Sequence, residues 1–397
     1  MQQTPPSDLP AARPLGIDDA SAAWEATTTA FLAHSAETPA HLARTLEADP
    51  GFAAAHAAKG LFSMLLGRAE LVPVARDALS AADAARDPAD ARALAYAEAL
   101  RLWLAGRPHA AAERLSRHIE DDPEDTLAFK LDHAIRFVMG DRRGMLARSR
   151  IALGATAPDH PHRGYLLGCH AFALEENGAY AQAERTGRAG VEIAPDDAWG
   201  VHAVAHVHDM TARVEDGVAW LEAMAPAWEH CNNFGAHCWW HLALHRLERG
   251  ETDRVMALYD TRVRAERTDD YRDIANAASL LARLDIEEVD VGDRWEELAD
   301  LAARRVEPGC LVFADLHYQL ALTAAGREGD AGRMLDRLAR DAARSTHDMH
   351  EVAGVAGLPC ATGLAAFRAG QYALAHARLA EARPGLQRAG GSHAQRD

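Results

Sequence analysis

A short glycine-centred mark recurs along this chain at a nearly fixed interval, each time between two apolar stretches of helical character. The marks are Gly67-Arg68, Gly106-Arg107, Gly140-Asp141, Gly178-Ala179, Ala212-Arg213, Gly250-Glu251, Gly326-Arg327 and Gly370-Gln371. Successive marks stand 39, 34, 38, 34, 38, 76 and 44 residues apart, and the 76 is twice 38, so one degenerate mark is expected between Gly250 and Gly326. A step of this size belongs to stacked helix–turn–helix units. Each unit is too small to bury its own apolar face and must stack on its neighbours. Ala, Leu, Arg and Glu, all strong helix formers, dominate from Phe52 onward, and no alternating β-branched run is long enough to propose a sheet. Pro123, Pro158 and Pro195, each beside acidic residues, read as breaks between units, because proline cannot continue a helix and acidic side chains suit the next helix N-terminus.

The expected fold class is therefore all-α, a right-handed α-solenoid of seven to nine tetratricopeptide-like helical pairs. The expected organisation is a flexible leader over 1–16, the solenoid over 17–383, and a C-terminal tail over 384–397. The step is irregular between Leu284 and Arg305, which reads as a distorted repeat or a solvated insertion. In the unit from Ala198, Ala205 is the small residue expected where two helices cross closely.

Charge and cysteine content narrow the function classes. Lys and Arg number 42 against 59 Asp and Glu, a formal charge of −17, and no basic stripe is visible; this argues against a nucleic-acid partner. The five cysteines, Cys169, Cys231, Cys238, Cys310 and Cys360, contain no Cys-x-x-Cys pair and fit a reducing, cytoplasmic setting. The Pro-rich N-terminus lacks the apolar core of a secretory signal, and no apolar run is long enough to span a bilayer, so no membrane partner is expected.

The periodicity resembles the tetratricopeptide repeat, best at "WWHLALHRLERGETDRVMALYD", with Trp239, Ala243 and Gly250 in phase, and at "LRLWLAGRPHAAAERLSRHIEDDPED", with Gly106, Ala111 and Pro123 in phase. The strings "HAVAHVHDM", "WWHLALHRLERG", "GDRWEELADL", "FADLHYQLAL" and "GGSHAQRD" resemble those of the tetratricopeptide repeat protein 38 family, over nearly all of the chain from about residue 17. That resemblance implies an α-helical repeat protein and assigns no reaction. In that family further helices usually follow the last string, whereas here it ends at Asp397, so the resemblance implies a truncated terminal repeat at 384–397.

Histidine is unusually frequent: 21 residues, densest between His202 and His245. His202, His206 and Asp209 are spaced four and three apart, so they share one stripe of one helix. The next unit offers His237, Trp240 and His241 to the same concave surface, and His317, with Asp315, lies at similar depth further on. These residues define a candidate ligand-binding set: His202, His206, Asp209, His237, Trp240, His241 and His317. In one reading they are polar residues satisfied within helix crossings. In a second they line a concave pocket for a peptide or small molecule, with Trp240 stacking and the imidazoles hydrogen-bonding. A third is a metal site. His-x-x-x-His occurs at His202/His206 and His241/His245, but Ala203 and Leu242 stand where a zinc protease carries Glu, which leaves His202, His206 and Asp209 as a possible ligand set. The leading expectation is a binding scaffold without a cofactor. The alternative is a hydrolase or lyase in which His206 is general base and Asp209 orients it. A deep cavity would favour chemistry, an open groove a partner.

Overall fold

The computed structural model describes residues 17–396; the leader expected over 1–16 and Asp397 lie outside the described residues. The described chain is all-helical. Neighbouring helices joined by tight turns pack as pairs: Ile17–Leu32 with Thr38–Ala48, Ala53–Leu65 with Val72–Ala84, Ala91–Leu104 with Pro108–Asp121, Thr126–Val138 with Arg142–Ala155, and Arg163–Glu176 with Tyr180–Ile193. The second half continues with Ala198–Met210 and Val214–Ala223, Phe234–Glu248 and Thr252–Leu258, Tyr271–Ile286 and Arg294–Ala303, Val312–Ala324 and Glu328–Ala342, and Leu358–Arg368 and Tyr372–Ala382. These make ten pairs, more than the seven to nine expected. No described helix is long and apolar enough to cross a membrane.

The sequence marks are helix stops. At Gly106 the backbone enters the left-handed region (φ 76°), and the next amide, Arg107 N–H, reaches back to the Leu102 carbonyl at 3.0 Å, closing the last turn. The missing mark between Gly250 and Gly326 is Glu288, midway between them. It takes the same conformation (φ 58°), and Val289 N–H reaches back to Leu284 O at 3.0 Å. A further mark without glycine is His34 (φ 57°), which ends the first helix. A side chain in this conformation costs about 1–2 kcal/mol, so glycine is preferred there without being required. The segment 284–305 is thus the turn and second helix of an ordinary pair.

The row of pairs curls until its ends meet its middle. Ala36 N–H donates to His230 O at 3.1 Å, and Ser35 and Cys231 form an isolated β-bridge. Arg68 pairs with Asp269, Arg305 with Glu70, and Asp348 N–H donates to Gly106 O. The segment over 384–396 packs inside this coil: Gln387 Nε2 donates to Gly140 O at 2.8 Å, His393 N–H to Glu176 at 2.9 Å, and Ser392 is wholly buried. First helices therefore bury themselves almost all round while second helices keep one wet face. Ala198–Met210 is buried continuously from Ala198 to His208, whereas its partner Val214–Ala223 buries Gly217, Val218 and Leu221.

Candidate functional site

Five successive first helices build the site: α1 (Thr126–Val138), α2 (Arg163–Glu176), α3 (Ala198–Met210), α4 (Phe234–Glu248) and α5 (Tyr271–Ile286). The repeat sets the placement. His202 and His206 on α3 and His237 and His241 on α4 are related by a shift of 35 residues, one unit, so two i,i+4 histidine pairs face each other across the helix contact.

Their Nε2 atoms converge. His206 approaches His202 at 2.9 Å, His202 approaches His237 at 3.0 Å, His206 approaches His241 at 3.1 Å and His241 approaches His237 at 3.2 Å. All four rings are buried, and one nitrogen from each lies within 4.8 Å of the others. Hydrogen bonding accounts for only part of this ring. Each contact needs one proton and one lone pair, and an Nε2 offers one or the other. Protons can alternate around the ring, so at most two of the four contacts are ordinary hydrogen bonds. A central cation would face four lone pairs at once.

The outer nitrogens point the same way. His237 Nδ1 donates to Asn276 Oδ1 on α5 at 2.8 Å, which leaves its Nε2 as a lone pair aimed into the ring. His206 Nδ1 stands 3.4 Å from the wholly buried Glu175 carboxylate on α2, the carboxylate–imidazole arrangement that raises ligand basicity. Burial would lower the pKa of His206, but Glu175 holds it above the ordinary value. Burial, then His206 and the other rings, push His202 and His241 well below theirs, and burial pushes His237 down to about 4. Glu176, also buried, pairs with Arg396.

His202 and His237 also line a cavity of about 590 Å³. Its mouth lies at exposed Ala36, Pro39, Ala43 and Lys59; its deep end is made by Lys130, His133, Trp199, His202 and His237, all buried. Phe31, Phe62, Phe137, Phe234, Leu42 and Leu311 give it apolar walls. Its volume suits a small ligand, and it is open to solvent on one side and closed by buried side chains on the other.

Of the residues singled out in the sequence, His202, His206, His237 and His241 come together and the others do not. Asp209 lies beyond His206 near the end of α3, and the carboxylate beside the His206 Nδ1 is that of Glu175. Trp240 is wholly buried behind the ring, stacked on His237 at 5.2 Å, and is not among the cavity-lining residues. His317 donates through Nδ1 to Phe313 O at 2.8 Å in its own helix. His245, half of a predicted pair, lies one turn past His241, so close to Gly217 that a Cβ there would meet its ring at 2.4 Å. The pair that α4 contributes is His237/His241, whose four-residue spacing and one-unit offset from His202/His206 were present in the sequence. Glu175, Asn276, Lys130 and His133 carried no sequence signal, since their roles depend on which helices the coil sets side by side.

Compared with models of known protein families, the chain matches none. The roles of these residues therefore stand on their geometry.

Proposed function

We propose that this chain is a metalloprotein of small-molecule chemistry. On this reading His202, His206, His237 and His241 hold one divalent first-row transition ion beside a cavity that receives an organic ligand. The observation that carries it is the ring of four Nε2 atoms, neighbours 2.9–3.2 Å apart, in which protons can make at most two of the four contacts into ordinary hydrogen bonds. Four imidazoles suit zinc, copper or nickel, and the buried Glu175 beside His206 supplies compensating charge. This departs from the expected scaffold without a cofactor and keeps the alternative enzyme reading, with the metal set changed from His202, His206 and Asp209. Such an ion would act as a Lewis acid on a ligand group reaching it past His202 and His237. The volume of the pocket favours a small molecule over a peptide. The paired helices and regular stops support a tetratricopeptide-like, right-handed solenoid as the frame.

Elemental analysis after equilibrium dialysis against zinc tests the reading. The wild-type chain is expected to retain one ion, and His241→Leu to weaken retention by about 100-fold or more with its helical circular dichroism intact. No stoichiometric retention of zinc, copper or nickel by the folded wild type would overturn it.

A further inference from the structure

Away from the imidazole ring, the deep end of the cavity collects polar groups that the protein itself does not satisfy. Lys130, on α1, is 3 % exposed and lines the cavity. Its Nζ donates to the Cys169 thiol at 3.6 Å and sits 4.8 Å from the centre of the Trp199 ring. Burial pushes the Cys169 pKa up to about 11, so that sulfur carries no compensating charge near neutrality. Among the described residues no carboxylate comes within ion-pair distance of Lys130. The buried carboxyl it senses, Asp197, is not among the cavity-lining residues, and burial pushes its pKa up to about 7.

The groups around Lys130 are also without partners. Trp199 Nε1, both ring nitrogens of His133 and Nε2 of His34 have no hydrogen-bond partner in the protein. His133 is 1 % exposed, and the rings of His34 and His133 lie 5.3 and 6.0 Å from that of Trp199. All four residues line the cavity. Orphaned buried donors are rare in folded proteins, and several around one ammonium call for an acceptor. The walls between this end and the mouth are mainly apolar, and the other cation that lines them, Arg272, is already paired with Asp270.

From the Lys130 ammonium that no carboxylate pairs, the orphaned Trp199 and His133 nitrogens and the mainly apolar walls, we propose that the cavity binds an organic carboxylate: its anionic head at Lys130, Trp199 and His133, its apolar body running toward the mouth. The head then lies near His202, on the side of the cavity where the imidazole ring opens. This inference rests on the cavity being a ligand site and not on the ion: the same groups are unsatisfied whether or not a metal is held.

Isothermal titration of the full chain with decanoate and with decanol, each with and without zinc, tests it. Decanoate is expected to bind about tenfold or more tightly than decanol, the size of one charge-assisted hydrogen bond in a dry site. Lys130→Met, with unchanged helical circular dichroism, is expected to remove that preference by weakening decanoate and leaving decanol nearly unaffected. The wild-type comparison of acid with alcohol keeps the test valid if the variant does not fold. Equal affinity of the wild type for both probes, binding of neither, or a preference that survives in folded Lys130→Met would overturn the proposal. Decanoate binding that persists in a chain retaining no metal would sink the metal reading alone; zinc retention without acid preference would sink this one alone.

Discussion

Two buried polar clusters in this molecule, each containing histidine at ligand-like spacing, are put to opposite ends. Around Asp125 every contact has a donor and an acceptor. Its carboxylate accepts from His118 Nε2 at 2.9 Å, Arg92 Nε at 3.0 Å, the Tyr96 hydroxyl at 2.8 Å and Ala128 N–H at 3.0 Å. Burial works against its ionisation, yet His118 and Arg92 hold its pKa below the ordinary value. His118, Asp122 and Asp125 also meet a simple distance test for a metal site, but Asp125 and His118 are already committed to each other. The four imidazoles of α3 and α4 face nitrogen to nitrogen, and no placement of protons makes more than two of their four contacts ordinary hydrogen bonds. Ligand-like spacing does not separate the two places. What separates them is whether the partners already present complete the hydrogen bonding.

The contrast is broken most sharply by removing one member of each cluster. Asp125→Ala leaves the buried His118 imidazole and Tyr96 phenol, and the partly exposed Arg92 guanidinium, without their acceptor and should cost about 3–5 kcal/mol of unfolding free energy in a denaturant titration. His241→Leu should leave the metal-free chain as stable as the wild type or more so, because it replaces a buried imidazole whose Nδ1 has no partner by hydrocarbon. A large loss in metal-free His241→Leu would make the ring a structural element like its counterpart.

Zinc sharpens the same comparison. At about 100 times its dissociation constant, zinc should add about 2.7 kcal/mol to wild-type stability. His241→Leu should abolish that gain and Asp125→Ala should keep it, as thermal melts with and without the ion would show. The supporting residues matter less: Asn276→Leu, which frees the His237 tautomer, should weaken zinc by about 10–100-fold with helicity unchanged.

Acid gives a smaller effect. His237, His245 and His317, each pushed down to about 4 by burial, stay neutral in the folded chain, while the unfolded chain takes up protons near 6.5. Unfolding therefore binds protons between pH 6.5 and 4, so metal-free stability should fall as pH drops through that window, on the order of 1 kcal/mol per pH unit for each histidine. His206, held high by Glu175, runs the other way: its contribution is complete below 6.5 and is lost as pH rises through its folded pKa. Denaturant midpoints measured from pH 7 to 4.5 should record the net fall. Smallest of all, Asp209→Asn should leave zinc affinity within a factor of about three, in contrast to its expected place in a metal set; a drop near that of Asn276→Leu would return Asp209 to the site.

Much of the architecture was legible because helix stops leave a chemical trace. Where the left-handed residue is glycine, at Gly106 or Gly250, the unit could be read directly. Where it is His34 or Glu288, the conformation is the same but the trace is absent, which concealed the first pair and made 284–305 look like an insertion. At the site, periodicity found the four histidines, since spacing on one helix and equivalence between units are properties of the chain. It placed Trp240 and Asp209 with them, but Trp240 is turned part of a turn away from the ring, and Asp209, on the same stripe, lies about a turn beyond His206 toward the helix end. It missed Glu175, Asn276 and Lys130 because only the packing of neighbouring units brings those helices to the histidines.

X-ray absorption at the zinc edge of the loaded chain tests the central claim most directly. Four nitrogen neighbours at about 2.0–2.1 Å, with the multiple-scattering pattern of imidazole, are the predicted result. A shell dominated by sulfur or by carboxylate and water oxygen would contradict it and place the ion elsewhere on the chain.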